Sequence, residues 1–180
     1  MKRFHIIPAL LLGLALLAGC SKDGISEETA IKGNSSTVTG WGLNGAFKSG
    51  SAFMYKSDKT CCFLLCEGKA NSWSAALKKP HIEIHILESY IYKNAGDMVD
   101  TSKSYDINET PSHIYVCWDP GNGHRFFNKP NLSSDPGCYP FKSGSLNVCN
   151  LHGTYTITFS GQCADNKSSY TPGWSYAGQF

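Results

Sequence analysis

From residue 37 onward, apolar and polar residues alternate with a period of two, the pattern of strands that bury one face. The clearest case spans residues 81–87. Ile82, Ile84 and Ile86 point one way there, and His81, Glu83 and His85 point the other. Ile114, Val116 and Trp118 alternate with His113, Tyr115 and Cys117. Leu146 and Val148 alternate with Asn147 and Cys149, and Tyr155, Ile157 and Phe159 alternate with threonines and Ser160. Trp174 and Tyr176 face oppositely to Ser175 and Ala177, and Val38 and Gly40 to Thr39 and Trp41. Shorter apolar runs cover residues 53–55 and 61–66. The one helical candidate is short, at residues 72–77. Asp119-Pro120-Gly121-Asn122-Gly123 is turn chemistry. The Pro- and Gly-rich stretch 122–144 reads as a long loop that Cys138 could staple.

Half-buried alternating strands indicate an antiparallel assembly with a solvated face. Seven or more short strands predict an all-β fold, an antiparallel β-sandwich or barrel, as a single domain over residues 37–180. Residues 21–36 hold only Ile25, Ala30 and Ile31 as apolar side chains of any size and read as a flexible tether.

The first twenty residues have a different pattern. Lys2 and Arg3 precede an apolar run from Ile6 to Leu17, which is the order of a secretory signal. Leu17-Ala18-Gly19-Cys20 closes it and resembles the lipobox of bacterial lipoproteins. The resemblance implies a signal peptide over residues 1–19, cleavage before Cys20 and a covalent acyl lipid on that cysteine. The run is short for a spanning helix and carries Pro8. Two or three acyl chains would hold the chain on a membrane where one would not. Ser21 resembles outer-membrane sorting, with the domain facing the periplasm or the cell surface.

Composition then narrows the partners. Removing residues 1–20 takes away two of the 16 Lys+Arg and none of the 14 Asp+Glu, so the remaining side chains balance. Without a basic field there is no expectation of nucleic acid. The expected partners are the membrane, through lipid, and a glycan or protein ligand. The C-terminal third also resembles small all-β lipoproteins of Bacteroidetes, in Gly153-Thr154-Tyr155-Thr156-Ile157-Thr158-Phe159-Ser160-Gly161 and in Gly173, Tyr176, Gly178 and Phe180. That resemblance implies a final pair of strands and little about activity.

Chemistry-bearing residues are few. Cys61, Cys62, Cys66, Cys117, Cys138, Cys149 and Cys163 follow the lipobox cysteine. An oxidising compartment favours disulfides among them, and the odd number allows at most three. Cys62 and Cys66 on one strand would lie roughly 13 Å apart, too far to bridge. His81, Glu83 and His85 share a strand face, where alternate residues lie about 6.5–7 Å apart, so two could meet one metal. His113 and Cys117 would be the nearest further ligands. A catalytic cysteine would need a base beside it, which linear spacing does not supply. Serine-hydrolase chemistry has no Gly-x-Ser-x-Gly elbow to rest on. Among the aromatics, Trp73 stands in a polar stretch and reads as exposed; with Tyr90 and Tyr92 it forms the candidate ligand-binding set. The expected function is therefore a lipid-anchored, non-catalytic binding domain with no cofactor beyond its acyl chains. A structural envelope component is the second reading, and a metal-dependent enzyme using His81 or His85 the third.

Overall fold

The computed structural model describes residues 30–34, 38–93, 104–109, 113–128 and 136–180. The expected signal peptide, Cys20 and most of the expected tether lie outside the described residues. In chain order the strands are β1 (Ile31–Lys32), β2 (Thr39–Gly42), β3 (Gly45–Phe47), β4 (Gly50–Ser57) and β5 (Thr60–Glu67). Helix α1 (Trp73–Ala76) precedes β6 (His81–Leu87). Then follow β7 (Tyr105–Asp106), β8 (Ile114–Asp119), β9 (Arg125–Phe127), β10 (Cys138–Leu151), β11 (Thr154–Ala164), β12 (Ser169–Tyr170) and β13 (Gly173–Gln179).

The strands form one large curled sheet, a half-barrel, in the order β1-β4-β5-β6-β8-β9-β10-β11-β13-β2-β3. β12 pairs with β11, and β7 with β10. The curl turns on β10. Its first three residues run parallel to β9, with Cys138 opposite Arg125. A register shift between Phe141 and Ser143 then marks the point beyond which the strand pairs antiparallel with β11 as far as Leu151. A bulge bends a strand in this way. The expected sandwich or barrel is thus all-β as read. The purely antiparallel expectation is corrected: β9 and β10 lie parallel, Tyr139 and Pro140 standing opposite Phe126 and Phe127. The loop expected over residues 122–144 likewise contains β9 and the start of β10.

The apolar face of each strand lines the inside of the curl. Ile82, Ile84 and Ile86 are wholly buried there, with Phe63 and Leu65 from β5, Val116 and Trp118 from β8, and Val148, Ile157 and Tyr176 from the other half. The β10–β11 hairpin turns at His152 and Gly153, both at positive φ (51° and 85°). Two such residues match the right-handed twist of the strands they join. The Asn150 Oδ1 accepts the Gly153 N–H at 3.0 Å and holds the turn.

The outer face of β4 and β5 is not solvated as expected. Helix α1 lies on it. Ser72 starts the helix, its Oγ accepting the Ala75 N–H at 3.2 Å. Trp73 and Ala76, three residues apart and so on one side of the helix, pack on Phe53, Cys62, Leu64 and Cys66. β5 is therefore buried on both faces, which explains its near-continuous apolar run. The tether boundary also moves. Ile31 and Lys32 pair with Met54 and Phe53, and the Gln179 N–H donates to the Asn34 Oδ1 at 2.9 Å.

Trp73 is only 4% exposed, whereas Trp41 on β2 is 57% exposed. Truncating Trp73 to alanine is expected to cost about 3–5 kcal/mol in denaturant unfolding. Trp41→Ala should stay within about 0.5 kcal/mol of the parent. Equal losses would contradict this placement of the two rings.

Candidate functional site

Two regions on the outer surface gather chemistry. The first lies on the outer face of β5, β6 and β8. Register sets it: Cys62 is opposite His85, and Leu64 opposite Glu83. On the other flank His85 is opposite Tyr115, and Glu83 opposite Cys117. The His85 Nε2 lies 2.7 Å from the Glu83 Oε1, a charge-assisted bond along one strand. Cys62 faces the imidazole from the opposite position on β5 and acts on it electrostatically. Tyr115 meets the ring edge-on, centroids 5.1 Å apart.

The electrostatics follow from these contacts. Burial pushes the His85 pKa down, but Cys62 opposite it and the bond to Glu83, with their negative charge, more than reverse it, raising it to about 10. Burial would likewise raise Glu83. The bond from His85 and its charge, with His81 and Arg125 adding, instead hold it below the usual carboxylate range. Burial pushes the Cys61, Cys66 and Cys163 thiols up, Cys163 to about 12.

The second region lies where β6 ends. Tyr90 packs on His113 with centroids 4.9 Å apart and on Tyr105 at 5.4 Å. Tyr92 stacks on Tyr105 at 5.4 Å with an interplanar angle of 6°. The Tyr105 hydroxyl donates to the Tyr90 carbonyl at 2.9 Å and locks the group. All three tyrosines are half-buried. A cleft of about 270 Å³ lies beside them, lined by Lys59, Leu87, Glu88, Ser89 and Lys93. A larger cleft of about 430 Å³ opens between the end of α1 and the β8–β9 turn. It holds Lys78, Lys79, Asp119 and Arg125 but no aromatic ring. Arg125 there is committed to Asp119, Nε to Oδ2 at 3.1 Å.

A third polar group is a structural tie. The Asp165 carboxylate accepts the Lys167 and Ser168 N–H groups at 2.7 Å each. The Tyr170 hydroxyl donates to it at 2.8 Å, and His124 Nδ1 lies 2.9 Å away. The Lys167 N–H foremost, helped by these others, holds its pKa down to about 2.

The expected site residues are thus redistributed. Tyr90 and Tyr92 do share a patch. Trp73 does not join them; it is corrected to a buried residue under which the outer face of β5 packs. The three histidines do not converge on a metal. The His81 Nδ1 bonds the Lys79 carbonyl at 2.7 Å, His85 engages Glu83 and Cys62, and His113 stacks on Tyr90. Among the described residues no group of three or more His, Cys, Asp or Glu side chains is arranged to hold a metal ion. The seven cysteines expected to offer disulfides are free thiols in this structure. The pairing that linear reading missed is Cys62 with His85. Its only sequence signal was shared parity, since both alternate outward on their strands.

No protein-family model matches this chain, and no curated protein or solved structure matches it. No helix among the described residues is long and apolar enough to cross a membrane.

The linkage sign for His85 is that of a group raised on folding. Its stabilisation is fully present below about pH 6.5 and is lost as pH rises through about 10. An NMR titration should find the His85 imidazole still protonated at pH 8. A midpoint near 6.5 would show that Glu83 and Cys62 do not hold its proton.

Proposed function

We propose that this chain is a bacterial lipoprotein, anchored through acyl chains on Cys20, whose all-β domain binds a glycan on the periplasmic or outer face of the outer membrane. Leu17-Ala18-Gly19-Cys20 behind a charged and apolar leader supports the anchor. The stacked group of Tyr90, Tyr92, Tyr105 and His113 beside a cleft carries the binding reading. Half-buried tyrosine rings offer flat apolar faces with polar tips, and Lys59, Ser89, Lys93 and Glu88 offer hydrogen bonds around them. Sugar rings have the same mixture of flat C–H faces and hydroxyl rims. A protein ligand is the second occupant of the same surface. Assembly through added strands has less to work with, because the sheet ends in strands of two and three residues, β1 and β3.

Labelled palmitate fed to a bacterial expression host should enter the full chain and leave it in the membrane fraction. Cys20→Ser should lose both; a Cys20→Ser chain that stays labelled would refute the anchor. On a glycan array, Tyr90→Ala and Tyr92→Ala should each weaken the strongest signal about two- to tenfold, from roughly 0.5–1.5 kcal/mol per aromatic contact. Signals indifferent to both substitutions would remove the aromatic group as the site.

A further inference from the structure

The outer face of β5 and β6 carries a nucleophile, a proton donor and a carboxylate side by side. Cys62 stands directly opposite His85 across the strand pair, and the His85 Nε2 lies 2.7 Å from the Glu83 Oε1. Three adjoining side chains complete the surround: Tyr55 opposite Cys62 on β4, Tyr115 opposite His85 on β8, and Cys117 opposite Glu83. Within this group Glu83 is the only carboxylate and His85 the only base. Access is narrow. Cys62 is 5% exposed, while the His85 side chain is 31% exposed and that of Glu83 16%.

We propose that Cys62 is a peroxide-reactive thiol, with His85 as its proton donor and Glu83 as the residue that positions the imidazole. A thiolate is the reactive form of cysteine, and a neighbouring imidazolium favours it. The Cys62 sulfur attacks one oxygen of hydrogen peroxide. The S–O bond forms as the O–O bond breaks, and the departing hydroxide takes the proton of His85 and leaves as water. Sulfur gives up two electrons, and the peroxide gains them. The product is a sulfenic acid at Cys62 beside a neutral imidazole. The same reaction is disfavoured at Cys61, Cys66 and Cys163, whose thiols burial pushes up. The proposal rests on the β5–β6 register and the His85–Glu83 bond and does not depend on the lipid anchor or on glycan binding.

The test uses the reduced full chain in detergent. Limiting hydrogen peroxide is added and then removed with catalase, and the protein is unfolded in dimedone, which traps sulfenic acid. Peptide mapping reads which of the seven cysteines after Cys20 has reacted. Cys62 should carry the adduct before the others. His85→Gln should slow its oxidation roughly a hundredfold, the scale of a lost proton donor. Glu83→Gln should move the alkaline limb of the rate–pH profile to lower pH, a change that mere loosening of the strand would not produce. Earlier oxidation at any other cysteine of the parent chain would overturn the proposal, and this readout needs no variant to fold. An unchanged Cys62 rate in folded His85→Gln would overturn it equally.

Discussion

The pairing register between β5 and β6 is the constraint on which the rest depends. It sets Cys61 opposite Ile86 and Phe63 opposite Ile84 on the inside, and Cys62 opposite His85 on the outside. A slip of one residue would turn Glu83 and both histidines into the core and expose three isoleucines. Burying an unpaired carboxylate is costly enough to exclude that arrangement. The same packing energy that selects the core therefore places the thiol against the imidazole. No separate device is needed to build the Cys62–His85–Glu83 group.

Two further elements keep that register from drifting. Helix α1 covers one end of the outer face, so β5 is clamped between two apolar layers and not between core and water. On the other flank Asn128 continues β9 as a substitute for backbone. Its Oδ1 accepts the Val116 N–H at 3.0 Å, and its Nδ2 donates to the Ile107 and Ile114 carbonyls at 2.9 and 2.8 Å. Asn128 is buried, and these bonds satisfy its amide. The β8 flank that carries Tyr115 and Cys117 is thus tied to a neighbouring loop as well as to β6. The aromatic group at the end of β6 inherits its position from the same strand, since Tyr90 and Tyr92 follow directly after it.

Much of the fold was legible in the chain. Alternation located the Ile82–Ile84–Ile86 stripe, the inward Trp118 and Trp174 and the strand segments around Val148 and Ile157, because strand geometry alternates faces whatever the neighbours are. The short helix was also visible at its position. Trp73 was misread because polar neighbours in the sequence say nothing of what a four-residue helix lies on. The length of β10 and its parallel contact were hidden by Pro140 and Gly144, which look like loop chemistry and stand instead at an irregular edge and a bend. The surroundings of each cysteine were not legible, because compartment and count do not say which side chains the fold brings together.

By itself, then, the sequence determined parity: which side chains of each strand share a face, and hence that Cys62 and Cys66 point together, as do His81, Glu83 and His85. The resemblance of residues 1–20 to a leader and lipobox is likewise a local signal, read from consecutive residues. Only the tertiary structure decided adjacency. Which strand lies beside which, and in what register, is settled by burying one shared core from distant parts of the chain. That is why Cys62 meets His85 and not another cysteine, why Trp73 is covered, and why Tyr90 and Tyr92 come to stand beside His113 and Tyr105.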